Sequence, residues 1–177
     1  MFIVFSLPRS RSAWVSHLLD CGHDVALDSV SIADFLRRLD RAGGSCETGA
    51  IIGAEVIRKL RPDIRMAVVK RPVDEVLRSL AIIGLTPNAG EIEERAVMLN
   101  RLATKPGVLS LDFNDLDNFE TCEDLAMFCG QTLSKARFDR LSDFNIQLNI
   151  RKRVDKLIRT AATVKRIKQE IAEFAAG

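Results

Sequence analysis

The residues best suited to chemistry in this sequence lie near its start, in the segment Pro8-Arg-Ser-Arg-Ser-Ala-Trp14. Two arginines, Arg9 and Arg11, alternate there with two hydroxyl-bearing residues, Ser10 and Ser12. A guanidinium group donates paired hydrogen bonds to the oxygens of a phosphate or a carboxylate, and a serine hydroxyl adds one more donor. The segment therefore predicts a binding site for an anion, most often a phosphate.

The elements on either side of this segment place it between a strand and a helix. Phe2–Phe5 is an apolar run that predicts a buried first strand. Apolar residues with helical spacing begin at Ala13 and predict a helix over about Ser10–Asp20. The first N–H groups of a helix have no backbone partner and carry a partial positive charge, which favours an anion at that end. The connection is thus predicted to be a phosphate-binding loop.

The rest of the chain alternates between strand-like and helix-like segments. Further strands are predicted over residues 24–28, 64–70 and 107–112, and further helices over residues 31–40, 54–60, 72–83, 91–103, 119–130 and 134–141. Residues 41–49 are rich in turn formers and are predicted to be a loop. This alternation predicts an α/β fold with a mostly parallel central sheet and helices on both faces. Ligands of such sheets bind beyond the carboxyl ends of the strands.

The predicted α/β domain covers residues 1–149, and residues 150–177 are predicted to form a long amphipathic, basic helix. Apolar residues recur there every seven positions, at Ile150, Leu157, Val164 and Ile171. We expect this helix to pack on the same domain or to mediate a homodimer. Residues 151–177 carry a net charge of +5 and the whole chain +2, so the first 150 residues carry −3. A nucleic-acid partner is therefore not expected.

The composition of the chain favours some classes of protein and argues against others. With 47% hydrophobic and 28% charged residues in 177, the chain has the profile of a soluble globular protein with one core. No apolar run approaches the roughly 20 residues that span a bilayer, and no basic segment precedes Phe2, so neither a membrane span nor a signal peptide is expected. The four cysteines lack metal-site spacing, which favours reduced thiols in a cytoplasmic protein.

Two segments carry a resemblance to a known family. The segment from Pro8 to Trp14 resembles the loop of the P-loop sulfotransferases, whose pattern is P-[KR]-S-[GR]-[ST]-x-W. The stretch 64–79 is similar to the strand–R-x-P-x-D-x-x-x-S–helix of the same family. The resemblance covers residues 1–85. It implies a three-layer P-loop fold and a sulfuryl group moved from 3′-phosphoadenylyl sulfate (PAPS) to a hydroxyl or amine of a small-molecule acceptor, leaving adenosine 3′,5′-bisphosphate.

The resemblance also implies roles for residues of the first segment. Arg9 would hold the bridging oxygen of PAPS and stabilise the leaving phosphate. Trp14 would pack against the adenine. The 5′-phosphosulfate would accept hydrogen bonds from the backbone N–H groups of Ser10, Arg11, Ser12 and Ala13. The two serine hydroxyls would assist.

The second segment, which in the family binds the 3′-phosphate of the cofactor, departs from the pattern. Lys70 stands in place of the usual arginine, with Arg71 beside it. Arg78 stands in place of the usual serine, and Ser79 follows one residue later. One residue on a helix is a rotation of about 100°, so Ser79 is not expected to replace the usual serine, whereas Arg78 could bind a phosphate itself.

Ala13 argues against a metal at this site. It stands where the loop G-x-x-x-x-G-K-[ST] of nucleotide kinases has the hydroxyl residue that binds magnesium. An alanine has no oxygen to offer a metal ion, so we expect no metal, and a small kinase-like phosphotransferase is disfavoured.

The general base is the least defined part of the prediction. Members of the family use His or Glu near the end of the strand that precedes the 3′-phosphate strand. Glu55 is the candidate near a strand end, and Asp28 is a second. Glu55 could equally be an exposed residue at a helix start, where a carboxylate favours the helix dipole. Without a base, the alternative function is a non-catalytic phosphate- or nucleotide-binding P-loop module.

Overall fold

A computed structural model of the protein describes residues 1–142, 165–166 and 168–173. The strands are β1 (Phe2–Ser6), β2 (Gly22–His23), β3 (Gly44–Glu47), β4 (Arg65–Lys70) and β5 (Val108–Asp112). The helices are α1 (Ser12–Leu18), α2 (Ile32–Ala42), α3 (Ala54–Leu60), α4 (Val73–Ile82), α5 (Ala89–Ala103), α6 (Phe119–Phe128) and α7 (Lys135–Ser142). Three short 3₁₀ helices cover Val25–Asp28, Ala50–Gly53 and Phe113–Asp117.

The five strands form one parallel sheet in the order β2-β3-β1-β4-β5. The predicted α/β fold is therefore confirmed, and the sheet is entirely parallel. The chain places β2 and β3 on one side of β1, then crosses to β4 and β5 on the other. Such a reversal of strand order opens a crevice at the carboxyl end of the central strand, and the loop after Ser6 lies there.

β1 is the centre of the core. All five of its residues are buried, and alternate side chains point to opposite faces of the sheet. Ile3 and Phe5 pack with apolar residues of α2, α3, α4 and α5, whereas Phe2 and Val4 pack with those of α1, α6 and α7. Helices thus cover both faces, as predicted. Within the described part of the chain, no helix is long and apolar enough to cross a membrane.

β3 corrects the predicted loop over 41–49. The segment reads as a turn because its residues are small and polar, yet Gly44–Glu47 form a fully buried strand beside β1. Gly44 lies directly against the ring of Phe2, and a Cβ atom built on it would lie 2.4 Å from two ring carbons. Only glycine fits this contact, so a residue that normally breaks a strand is required within this one.

The predicted second strand over 24–28 is also wrong. β2 contains only Gly22 and His23, and Val25–Asp28 is a 3₁₀ helix. Asp24 separates the two elements with a left-handed backbone (φ 50°), which turns the chain away from the sheet. The polar side chains of this region therefore lie at the carboxyl ends of β2 and β3, close to the loop after β1.

The predicted C-terminal helix lies mostly outside the described residues. Residues 165–166 and 168–173 are helical. Glu170 accepts a hydrogen bond from the backbone N–H of Ile32 at 2.9 Å, and the Lys168 ammonium lies 3.1 Å from the Glu94 carboxylate. This segment thus contacts α2 and α5. The domain boundary at 149 and the dimer remain predictions.

Candidate active site

The connection between β1 and α1 is held in a tight, unusual backbone conformation. Arg9 and Arg11 both have left-handed backbones (φ 66° and 58°), which are uncommon for residues other than glycine. The N–H of Ser10 donates to the carbonyl of Leu7 at 3.3 Å, closing the turn. Strained backbone of this kind is concentrated at binding and catalytic sites. The segment chosen from the sequence is therefore a compact loop at the crevice.

Two buried hydroxyls of this loop lack partners. Ser6 is 2% exposed and Ser10 is 0% exposed, and neither side chain hydrogen-bonds with any part of the chain that the structure describes. A buried hydroxyl without a partner is unfavourable by roughly 1–3 kcal/mol. The oxygens of a phosphosulfate or phosphate group would satisfy both hydroxyls, so the loop fits the group that the sequence predicts.

The two sequence motifs meet at Arg9 although they lie far apart in the chain. The Nε of Arg9 donates to the Ser79 hydroxyl at 3.0 Å, and the guanidinium of Arg71 donates to the Arg9 carbonyl. Arg71 also pairs with Glu75 at 3.2 Å and is largely buried. Sequence reasoning passed over Arg71, although Arg71 and Ser79 have the same eight-residue separation as the Arg and Ser of the family pattern.

Ser79, and not Arg78, faces the loop. The Arg78 side chain is 69% exposed and pairs with Asp74 at 2.6 Å on the outer surface of α4. Successive helical residues point about 100° apart, so only one of the two can face the loop. Ser79 is thus the residue of the pair that contacts the loop, and a role of either residue in binding a phosphate stays a prediction. Lys70 lies at the end of β4, where it pairs with Asp112 of β5 at 3.3 Å.

Arg11 and Trp14 form part of an aromatic and cationic cluster beside the loop. The Arg11 guanidinium lies 5.7 Å from the Trp14 ring centre and 5.2 Å from that of Phe113, and it pairs with Asp117 at 2.5 Å. Trp14 is 7% exposed, and its indole N–H donates to the Leu141 carbonyl. The ring is thus packed in the core, and its contact with an adenine remains a prediction.

A second polar group lies at the carboxyl end of β2. Ser12 Oγ is 2.9 Å from His23 Nε2, and this nitrogen is 3.6 Å from Asp24 Oδ2. The other oxygen of Asp24 accepts from both the N–H and the hydroxyl of Thr48, at 2.7 and 2.9 Å. An imidazole therefore links the anion-binding loop to a buried carboxylate. Sequence reasoning missed this group because 24–28 was predicted to be a strand.

Glu47 is a fully buried carboxyl at the end of β3. It accepts hydrogen bonds from the Ser45 hydroxyl at 2.5 Å and from the Ala26 N–H at 3.3 Å. Burial, and then the negative charge of Asp24, raise the pKa of Glu47 to about 8. The carboxyl therefore carries a proton at neutral pH. Glu47 lies at the end of β3, the strand that precedes β4 in the chain, but its proton leaves it unable to accept another one at neutral pH.

Glu55 is not at a strand end, which corrects its predicted placement. It lies in the first turn of α3, half-exposed, and its carboxylate pairs with Arg101 at 3.2 Å and with Lys105 at 3.9 Å. These partners hold it against the C-terminal part of α5. Asp28 ends the first 3₁₀ helix. Among the described residues, no three or more His, Cys, Asp or Glu side chains are arranged to hold a metal ion.

Comparisons with known proteins support the fold. No protein-family model and no curated protein matches the sequence. Among solved structures, the chain is similar to the crystal structure of a sulfotransferase from Alicyclobacillus acidocaldarius, with a TM-score of 0.55 and 13% sequence identity. The match covers 97% of this chain and 95% of that one, so the two chains have similar lengths. At this identity the likeness concerns the fold alone.

Proposed function

We propose that this protein binds PAPS at the loop after β1 and transfers its sulfuryl group to a hydroxyl or amine of a small-molecule acceptor. The observation that carries the proposal is the pair of buried hydroxyls, Ser6 and Ser10, which have no hydrogen-bond partner among the residues that the structure describes. The likeness of the fold to a sulfotransferase and the two sequence motifs agree with it.

The loop would bind one end of the cofactor, and Arg71 together with Ser79 of α4 would bind the other. Ser6, Ser10 and Arg9 would hold the 5′-phosphosulfate. Arg71 and Ser79, which both hydrogen-bond to Arg9, would hold the 3′-phosphate in place of Lys70 and Arg78. When bound, PAPS supplies an activated sulfuryl group whose leaving group is a phosphate. Guanidinium groups of this chain suffice to neutralise that phosphate, which is consistent with an alanine at position 13.

His23 is the proposed general base, in place of Glu55. Its imidazole contacts the loop through Ser12, and the Asp24 carboxylate would stabilise the imidazolium once a proton has been accepted. Asp24 is itself fixed by two hydrogen bonds from Thr48, so the pair is positioned by the ends of β2 and β3. Glu55, held by Arg101 and Lys105, has a structural role in this proposal.

Calorimetry with adenosine 3′,5′-bisphosphate tests the cofactor. We expect micromolar binding by the wild type and a loss of roughly 10- to 100-fold in Arg9→Ala, because a charge-assisted hydrogen bond is removed. Arg78→Ala is the matched control and should bind normally, because Arg78 faces solvent. Absence of binding at millimolar ligand would contradict the proposal.

An assay with ³⁵S-labelled PAPS separates the remaining alternatives. Transfer of label to an acceptor supports the enzyme. Binding without transfer to any hydroxyl or amine tested would favour a non-catalytic nucleotide-binding module. A strict requirement for magnesium would favour a kinase-like phosphotransferase instead.

A further inference from the structure

Two cysteine side chains that are distant in the sequence are in contact beside the proposed base. Cys21 lies directly before β2 and Cys46 lies within β3, and their sulfur atoms are 3.8 Å apart. β2 and β3 are neighbours in the sheet, and His23 pairs with Cys46 in their register. Both cysteines are free thiols. Two thiols in contact can be joined by a disulfide when an oxidant reaches one of them.

The two thiols differ in their exposure to solvent. Cys21 is partly exposed, whereas Cys46, Cys122 and Cys129 are buried. Burial, and then the hydrogen bond with Cys21, raise the pKa of Cys46, so this sulfur keeps its proton at neutral pH. Oxidants react with accessible thiolates far faster than with buried thiols. An oxidant dissolved in water therefore reacts first with Cys21.

The hydrogen bonds of the pair favour the same order of reaction. The Cys21 thiol donates to the Gly22 carbonyl at 3.5 Å. A thiol has one hydrogen, so with that donation Cys21 can only accept a hydrogen bond from Cys46. Such a bond stabilises the thiolate of Cys21 once its own proton has left. Cys21 is thus the sulfur suited to attack an oxidant, and Cys46 is the thiol next to it.

We propose that Cys21 and Cys46 are a modification site at which a peroxide forms a reversible disulfide within the chain. The Cys21 thiolate attacks hydrogen peroxide and breaks its O–O bond, which gives a sulfenic acid and, with the proton of the thiol, water. This sulfur loses two electrons and the peroxide gains them. The Cys46 sulfur then attacks the sulfenic sulfur, and the hydroxyl leaves with the Cys46 proton as a second water. Two molecules of a small thiol reverse the reaction and leave as their own disulfide.

The disulfide would displace the strand that carries His23. An S–S bond is about 2.05 Å long, so the two sulfur atoms must approach each other by about 1.8 Å. β2 has two residues and lies at the edge of the sheet, so it moves more easily than β3, which lies between β2 and β1. A shift of His23 would alter its contact with Ser12 of the loop. This effect on catalysis rests on the proposed function, whereas the disulfide itself does not.

Peptide mass spectrometry tests the site without cofactor or acceptor. The protein is treated with sub-millimolar hydrogen peroxide, the remaining thiols are alkylated, and trypsin then places Cys21 on residues 12–37 and Cys46 on residues 42–58. We expect these two peptides to be linked in a chain that stays monomeric on a non-reducing gel, and dithiothreitol to release them. A link to residues 102–135, which carry the other two cysteines, overturns the proposal. So does a link between two chains, or a sulfinic acid at Cys21 with Cys46 alkylated.

Variants separate the roles of the two cysteines. In Cys46→Ala the sulfenic acid has no neighbouring thiol, so dimedone should label Cys21 about tenfold more than in the wild type. Cys129→Ala removes another buried thiol and is the matched control, which should form the disulfide as the wild type does. Equal dimedone labelling of the wild type and of Cys46→Ala contradicts the role of Cys46.

Nuclear magnetic resonance of the two histidine rings reports the movement of β2. On oxidation the Cε1–H signal of His23 should shift more than that of His17 and return with dithiothreitol, and in Cys21→Ser it should not move. An unchanged His23 signal in the disulfide form would exclude the displacement. If adenosine 3′,5′-bisphosphate does not bind but the disulfide forms, the sulfotransferase proposal is wrong and the modification site stands. If the bisphosphate binds but no disulfide forms, the reverse holds.

Discussion

The ends of β1 and β4 carry positive charge, and the neighbouring ends of β2 and β3 carry carboxyl groups. At β1 and β4 the guanidinium groups of Arg9 and Arg71 have hydrogen-bond acceptors and border the crevice. At β2 and β3 burial is nearly complete, and Glu47 avoids a second negative charge beside Asp24 by keeping its proton. One edge of a sheet thus contains a region suited to receiving an anion and a region suited to holding protons.

The largest expected effect concerns the proton on Glu47. Its pKa is about 8 in the folded protein and 4.5 in an unfolded one, so the folded state binds the proton more tightly. The stability that this proton contributes is complete below pH 4.5 and is lost as the pH rises toward 8. By linkage, the free energy of unfolding should fall by about 3 kcal/mol between pH 4 and pH 7 through this group.

Glu47→Gln isolates this contribution, because glutamine imitates the protonated carboxyl. Urea denaturation should show the variant to be more stable than wild type at pH 7 by about 3 kcal/mol, with no difference near pH 4. Glu55→Gln, at an exposed carboxylate, is the control and should follow the wild-type profile. Parallel profiles for Glu47→Gln and wild type would show that Glu47 is ionised, and the contrast between the two regions would disappear.

Replacing His23 tests whether the carboxyl region takes part in the reaction. His23→Gln keeps hydrogen-bonding capacity but removes the titratable ring, so the transfer rate should fall roughly 100-fold, a usual contribution of a general base. Binding of adenosine 3′,5′-bisphosphate should be unchanged. His17→Gln, the same change at the other histidine, serves as the control. Equal kcat values for His23→Gln and wild type would exclude His23 as the base.

The substitution Arg71→Lys tests whether the positive region binds the 3′-phosphate of the nucleotide. The substitution keeps the charge but removes the planar fork, so affinity for adenosine 3′,5′-bisphosphate should fall about tenfold. Affinity for adenosine 5′-phosphate, which lacks the 3′-phosphate, should hardly change. Calorimetry with both nucleotides gives the comparison, and an equal loss for the two would place Arg71 away from the 3′-phosphate.

The smallest effect is expected for Ser10→Ala, which should raise the stability of the ligand-free protein but lower its affinity for the nucleotide. Ser10→Ala removes a buried hydroxyl without a partner, so the ligand-free protein should be more stable by about 1 kcal/mol. Binding of PAPS should weaken several-fold, because the donor that we propose for the phosphosulfate is lost. A variant that is destabilised without ligand would show that the hydroxyl is already satisfied by the protein or by water.

The sequence identified the positive region better than the carboxyl region. β1, the loop and α1 could be predicted because an apolar run, a dense cluster of donors and helical spacing follow one another. β3 could not be predicted, because the close contact of Gly44 with Phe2 is a tertiary requirement that looks like a turn in the sequence. Without β3, neither the burial of Glu47 nor its nearness to Asp24 was visible.

The second motif, residues 64–79, shows another limit of prediction from sequence. Spacing defines the angle between Arg78 and Ser79 around α4, but it does not determine which of them faces the loop. That depends on how the helix is docked on the sheet, which is set by the burial of Val76 and Leu80. The separation of Arg71 and Ser79 fits the pattern as well as that of Lys70 and Arg78, and it is the hydrogen bond to the Arg9 carbonyl that distinguishes Arg71 from Lys70.

The central position of β1 has a consequence during synthesis of the chain. Its two neighbours in the sheet begin at Gly44 and Arg65, so this strand is made well before either of them. At roughly 5–20 residues per second, several seconds pass before β4 can pair with it. During that time the apolar stretch Phe2–Phe5 has no sheet partner, and exposed apolar surface of this kind favours association with other chains.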